Sequence, residues 1–200
     1  MRKQLITEVA NRILQLNLKL SHPIRVGVSG ITASGKTTFA NELAVELQMQ
    51  NNHVVRASID QFHNPRSLRY RKGKESARGY YEDAHDYQSF KEKLLLPLGP
   101  TGNFHYQTIS FDLEKDEYVL LDPIQAKNDS IFIIDGTFLF KKELIKLFDL
   151  KIFVQTEFAV ARVRGAKRET AAFGSYEKAE KMFLNRYHPA SKFYLDEHAP

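Results

Sequence analysis

Apolar residues recur at three- and four-residue intervals at the start of the chain, at Ile6, Val9, Ile13 and Leu16. That spacing predicts an amphipathic helix over residues 3–18, stopped near Ser21-His22-Pro23 and packed on the outside of the domain. The pattern then changes. Ile24 to Val28 reads IRVGV, a short buried parallel strand, and the run KTTFANELAVELQMQ that begins at Lys36 reads as a helix ending around Asn51-Asn52. His53 to Ile59 predicts a second strand running straight into Asp60. Residues 64–79 are polar, basic and punctuated by Pro65, Gly73 and Gly79, which predicts a mobile excursion outside the core. Residues 86–96 read as a helix closed by the PLGPTG stretch. Two extended runs, 104–111 and 117–121, joined by the polar 112–116, predict an antiparallel hairpin. Ile131 to Ile134 and Leu150 to Val154 supply two more parallel strands. A helix over 157–172 is broken at Gly174-Ser175, and another runs from Tyr176 to Tyr187 before His188-Pro189.

Strands alternating with helices predict an α/β fold: a doubly wound parallel sheet in one domain spanning residues 1–200, with a small hairpin insertion near 104–121 and a helical lid near 157–175. Ligands of such sheets gather beyond the C-terminal ends of the strands. The 200 residues, 42% of them hydrophobic, hold enough material for a sizeable core. Cysteine is absent, which excludes a disulfide framework and a cysteine-ligated zinc site. Charged and polar residues interrupt the N-terminal apolar positions, so no signal peptide is read there, and no run reaches membrane-spanning length. The cytoplasm is therefore the expected compartment. A formal charge of +5 suits a polyanionic partner. The basic residues, however, fall in two clusters, Arg66, Arg69, Arg71, Lys72, Lys74 and Arg78, then Arg162, Arg164, Lys167 and Arg168, and neither forms a nucleic-acid-binding signature. The pattern leaves open whether the chain forms an oligomer.

Candidate chemistry concentrates behind the first strand. Gly30 to Thr37 reads GITASGKT, a phosphate-binding loop between a strand and a helix. Gly30 and Gly35 let the chain turn so that successive backbone N–H groups, with the N-terminus of the helix, form an anion cradle. Gly30, Ala33, Ser34, Gly35, Lys36, Thr37 and Thr38 are the expected ATP-binding positions, with Lys36 on the outer phosphates. Thr37 offers its hydroxyl to Mg²⁺, a hard cation that takes oxygen ligands. Asp135 closes the apolar run IFIID and is placed to face that metal, unless it only caps the next element. Asp60 is either a turn residue or the base that takes a proton from an attacking hydroxyl. Lys36, Asp60 and Asp135 are expected to converge on one crevice. Arg164 and Arg168, four residues apart, share a helix face, where they stabilise phosphoryl charge or pair with a neighbouring acid.

The ordered series GVSGITASGKTT, SIDQFH, YYEDAHDY, FDLEKDE, IFIIDGTFLF and LKIFVQTEFAVARVRGAKRE, from about residue 24 to about 195, resembles the uridine kinase family within the phosphoribulokinase and uridine kinase group. The resemblance implies transfer of the ATP γ-phosphoryl, with Mg²⁺, to the 5′-hydroxyl of uridine or cytidine. It makes Asp60 the general base in the family's Asp-x-Phe motif, with Phe62 beside it, sets Asp135 at the metal, and makes Arg164 and Arg168 lid arginines alongside Lys36. It puts Tyr81, with Glu82 or Asp83, at the ribose, and Phe111-Asp112 at the start of a base-contacting hairpin. Where the family has a histidine in that hairpin this chain has Asp116, with His105 and Tyr106 nearby. Another alcohol of the same group, a phosphosugar or pantothenate, is the alternative acceptor, and the cluster from Arg66 to Arg78 suits a phosphorylated one. A regulatory or RNA-binding protein switched by ATP is the reading from another class. The resemblance also implies a further apolar strand beyond the position of Pro200, so the sheet is expected to be one strand short or the chain truncated. The strands at Ile24, Val54, Ile131 and Ile152 are expected to fold regardless.

Overall fold

The structure is a computed structural model that describes residues 2–198. Pro200, on which the expectation of a missing strand falls, lies outside them. The chain runs from α1 (Arg2–Asn17) through β1 (Ile24–Ser29), α2 (Lys36–Met49) and β2 (Val54–Ser58) to a 3₁₀ turn over Ile59–Gln61. Short helices α3 (Arg66–Arg69), α4 (Ala77–Asp83) and α5 (Tyr87–Phe90) follow, the last continued by a π-helical turn over Lys91–Leu95. Four two-residue strands, β3 (His105–Tyr106), β4 (Phe111–Asp112), β5 (Glu117–Tyr118) and β6 (Ile124–Gln125), precede β7 (Ile131–Gly136) and β8 (Leu150–Phe153). The chain closes with α6 (Phe158–Phe173), α7 (Tyr176–Met182), a π-helical turn over Phe183–Tyr187, and α8 (His188–His198).

The central sheet is parallel with strand order β2-β7-β1-β8. β1 and β7 are buried at every residue, as expected of inner strands covered on both faces, and β2 and β8 form the half-buried edges. Alternation along β7 feeds two cores. Ile131 and Ile133 pack with Ile6, Ala10 and Ile13 of α1 and Leu43 and Leu47 of α2, whereas Phe132 and Ile134 pack with Leu94, Leu98, Phe140 and Tyr194 on the other face. Burying one such Leu or Ile contributes about 1.5–3 kcal/mol. Across the ladder Val28 and Ser58 both stand opposite Asp135. The loop after β1, the turn after β2 and the carboxylate of β7 therefore emerge at the same edge. Among the described residues no helix is long and apolar enough to cross a membrane.

Three expectations need correction. The segment from 64 to 79 carries α3 and the start of α4, and ion pairs tie it down: Arg69 to Asp116 at 2.9 Å and Arg71 to Asp83 at 2.6 Å. The expected single hairpin splits in two. β4 pairs with β5, but β3 pairs with β6, because the chain leaves the ladder after Val119, which donates to the Ser110 carbonyl. Finally, the helix near His188-Pro189 does not stop there. Pro189 falls where the π-helical turn over Phe183–Tyr187 passes without a break into α8, with His188 helical at φ −70° and ψ −46°, so eleven further helical residues follow that periodicity alone did not supply.

Candidate active site

The loop from Gly30 to Thr37 is shaped by its glycines. A Cβ on Gly30 would lie 2.6 Å from Ser34 Oγ and 2.8 Å from the Val154 carbonyl. Gly35 has φ 91°, a left-handed value that lets α2 begin at Lys36. Ala33 adopts φ 65°, so a residue with a Cβ is also held in the left-handed region, at a cost of about 1–2 kcal/mol. No side chain caps the N-terminus of α2, so its free N–H groups and dipole face the cleft, the arrangement that receives an anion. The Lys36 side chain is buried, with Nζ 3.4 Å from the Ile31 carbonyl. Burial lowers the pKa of its amine, Asp60 and Asp135 pull it back up, and Arg168 lowers it further.

Thr37 and Asp135 meet directly: the threonine hydroxyl donates to Asp135 Oδ2 at 2.6 Å. These are adjacent hard oxygens, a donor set that fits Mg²⁺. The other oxygen, Oδ1, accepts from Arg56 at 2.6 Å, an ion pair that sequence reasoning missed. Asp135 is only 1% exposed, so without that guanidinium its charge would be costly to bury. It opens to a side groove bounded by Arg56, Ser58, Gln61 and Thr108 rather than to the main cleft, and Thr37 borders both.

The main cleft has a volume of about 360 Å³ and is lined by Lys36, Thr37, Thr38, Asp60, Arg168 and, opposite them, His63, Tyr80, Arg186 and Tyr187. Asp60 leaves β2 through the 3₁₀ turn, its N–H bonded to Ser58 Oγ at 3.3 Å, and its carboxylate is 61% exposed toward the cleft. Burial of the surroundings acts to raise its pKa, but His85, Lys36 and His63 outweigh that and hold it at about 2. The carboxylate is therefore ionised at any physiological pH.

The expected acceptor residues fare differently. Phe62 is fully buried in the core against Phe90, ring centroids 5.2 Å apart. Tyr81 points its hydroxyl to Glu197 and His198, each 2.8 Å away, outside the cleft. Asp83 is taken by Arg71 and Lys72, and Glu82 by Lys72 and Arg78. Phe111 is buried against Tyr118, and Asp112 accepts the N–H groups of Glu114 and Lys115 in the hairpin turn. The hairpin instead sends Leu113 into the cleft. Asp116 neutralises Arg69 and takes the Arg66 N–H, fixing the hairpin to α3. Arg168 lines the cleft while paired to Glu169 at 2.9 Å, whereas Arg164 is exposed and does not line it.

Three cleft residues, Tyr80, Arg186 and His63, went unread in the sequence, as did His85 buried behind them. Tyr80 is one helical position from Tyr81, and that step turns it to the opposite side of α4, with its hydroxyl 3.4 Å from Thr32 Oγ1. Arg186 lies on the π-turn after α7 with its guanidinium 5.0 Å from the Tyr80 ring and 5.5 Å from that of Tyr187. It is 7% exposed, its Nε has no hydrogen-bond partner, and no carboxylate pairs with it among the described residues. The His63 and His85 rings lie 4.6 Å apart, tilted by 38°, behind Asp60. The π-turn is a local irregularity and the pairing of His63 with His85 a long-range one, and no regular period signals either.

Three comparisons bear on this geometry. The model of the phosphoribulokinase / uridine kinase family matches residues 25–197. Uridine-cytidine kinase B of Dictyostelium discoideum is 28% identical over 184 residues, covering 88% of this chain and 73% of that protein. The structure of a possible uridine kinase from Bacillus stearothermophilus superposes with a TM-score of 0.69 at 24% identity, over 96% of this chain and 95% of that one. A proposed fructose transport system kinase from a Silicibacter species gives a TM-score of 0.78 at 18% identity, over 98% and 96%.

Proposed function

The chain belongs to the phosphoribulokinase/uridine kinase family, and on that premise we propose that this small-molecule kinase moves the γ-phosphoryl of ATP to the 5′-hydroxyl of uridine or cytidine. The observation that carries the reading is that Lys36 and Asp60, from the ends of two different strands, line one cleft. A phosphate cradle alone binds a triphosphate. An ionised carboxylate beside it gives an acceptor hydroxyl somewhere to leave its proton.

The uncapped N-terminus of α2 and the loop N–H groups bind the phosphates, and the buried Lys36 amine holds the outer ones. Anionic phosphates beside it favour its charged form, offsetting the burial that lowers its pKa. Thr37 and Asp135 would hold Mg²⁺, which supplies charge neutralisation at the β- and γ-phosphates. Asp60 orients the acceptor hydroxyl and receives its proton. Held below the usual carboxylate range despite burial, by His85 and Lys36, it starts the reaction ionised, and a loose transition state asks little of its basicity. Arg168, on α6, stabilises equatorial phosphoryl charge and helps to exclude water as the helix closes. In-line geometry does most of the rest. The test is product formation: purified protein with Mg·ATP and uridine or cytidine is expected to give the 5′-monophosphate, and a uridine arm and a cytidine arm that both yield nothing would overturn the nucleoside assignment.

A second reading has its own observation. Arg186 is a buried, unpaired cation on the acceptor side of the cleft, while the acidic residues expected at a ribose are tied up by Arg71, Lys72 and Arg78. An acceptor alcohol that carries a phosphate or carboxylate would satisfy that guanidinium. The basic residues first suspected of this role, Arg66 to Arg78, are instead largely paired within the protein. Preference for a phosphosugar or pantothenate over both nucleosides would favour this reading.

A further inference from the structure

Asp60, His63 and His85 come from the turn after β2, the segment beyond it, and the turn between α4 and α5. Their ligating atoms nevertheless lie within 4.8 Å of one another. His85 is 2% exposed, and neither of its ring nitrogens has a hydrogen-bond partner. Its Nε2 faces Asp60 Oδ1 at 3.6 Å, too far for a hydrogen bond. His63 packs against it at a tilt and leaves its own buried Nδ1 unpartnered. A buried imidazole with both nitrogens unsatisfied is costly and calls for a partner.

We propose that Asp60, His63 and His85 form an inhibitory binding site for a borderline divalent transition ion of the Zn²⁺ class. Two imidazole nitrogens and one carboxylate oxygen are a donor set for zinc, cobalt or nickel rather than for magnesium, which takes oxygens in octahedral geometry. Three protein ligands leave a fourth position open toward the cleft for water. Tetrahedral ligands about 2.0–2.1 Å from zinc stand roughly 3.4 Å apart, so donors within 4.8 Å of one another must draw in by up to about 1.4 Å. The exposed Asp60 carboxylate and the half-buried His63 ring have the freedom to rotate that far. The ion occupies the carboxylate that the proposed transfer needs, and bound metal and proton acceptance at Asp60 exclude each other. Thr37 and Asp135, all-oxygen and behind the phosphate loop, are a separate donor pair.

The experiment titrates Co²⁺ into the nucleotide-free protein and follows its visible absorption, which is intense for a four-coordinate ion and weak for a six-coordinate one. One equivalent giving the intense spectrum, displaced by Zn²⁺ but not by Mg²⁺, is expected. The substitution His63→Gln, at a half-buried position, is expected to weaken Co²⁺ binding by about tenfold or more with an unchanged far-ultraviolet spectrum, and His85→Gln to do the same where it folds. A weak octahedral spectrum, or an affinity unchanged by His63→Gln, overturns the site. Because neither ATP nor acceptor is present, this outcome is independent of which alcohol the kinase phosphorylates. A second arm adds Zn²⁺ at fixed excess Mg·ATP once an acceptor is in hand. ADP release is expected to fall and to recover on chelation of zinc, and activity that is indifferent to zinc at occupancies fixed by the titration overturns the inhibitory role.

Discussion

Replacing Asp60 with Asn removes one negative charge and the proton-accepting oxygen while keeping the shape of the side chain. A positioned general base contributes typically 10²–10⁴-fold, which corresponds to about 3–5.5 kcal/mol of transition-state stabilisation. Phosphoryl transfer with a late proton puts the expected loss toward the lower end, about 10²–10³-fold in kcat. Folding is expected to change by about 1 kcal/mol or less: His85 and Lys36 favour the charged carboxylate, but it is 61% exposed, so solvent screens most of that gain, and His85 stands 3.6 Å away. ATP affinity is expected to hold or to improve, because the anion removed stands beside Lys36, the lysine proposed to hold the phosphates. Steady-state ADP release gives kcat, calorimetry with ATP in the absence of acceptor gives Kd, and a thermal melt checks the fold. Turnover within threefold of the parent, with ATP binding intact, would refute the assignment of Asp60 as the base.

Other expectations address packing and pH. Asp116→Asn keeps a residue that tolerates the left-handed φ of 61° but leaves the Arg69 side chain, 8% exposed, without its ion pair; a lower midpoint in denaturant unfolding is expected. Gly165→Ala drives a Cβ to 2.0 Å from the Phe183 ring, between α6 and the turn after α7, and is expected to cost about 1–3 kcal/mol, read as a lower Tm. His188 is buried against Phe158 and Phe183, and burial, with Arg162 and Lys192 nearby, lowers its pKa to about 4. Because the unfolded chain takes up that proton near pH 6.5 and the folded one only near 4, the contribution is complete above pH 6.5 and is lost as pH falls toward 4. It amounts to roughly 3 kcal/mol, and in stability measured against pH the variant His188→Gln is expected to show a shallower acid limb.

The parallel sheet was legible because its strands are short apolar runs ending in punctuating residues, and Gly30 to Thr37 because a phosphate loop dictates both its glycines and its neighbours. Asp60 could be located from its place at a strand end. The acceptor wall could not. Tyr80 and Tyr81 differ by one step of a helix too short to show a period, and only tertiary packing decides which of them faces the cleft. Glu82 and Asp83 read as hydroxyl-binding acids until Arg71, Lys72 and Arg78 fold back over them. Asp135 was readable as a strand-end carboxylate, but its ion pair with Arg56 depends on the β2–β7 register, a pairing between segments nearly eighty residues apart. His85 lies in a turn with no chemical signature of its own, and it gains meaning only when the chain brings it beside Asp60.

The most direct test of the account is ADP release by the purified protein with Mg·ATP across uridine, cytidine, phosphosugars and pantothenate, run alongside the Asp60→Asn variant. At least one of these alcohols is expected to raise ADP release well above the acceptor-free rate and to be recovered as its phosphate ester, with the increase lost in the variant. ATP binding without acceptor-dependent ADP release for any of them, or an increase that survives in Asp60→Asn, would contradict it.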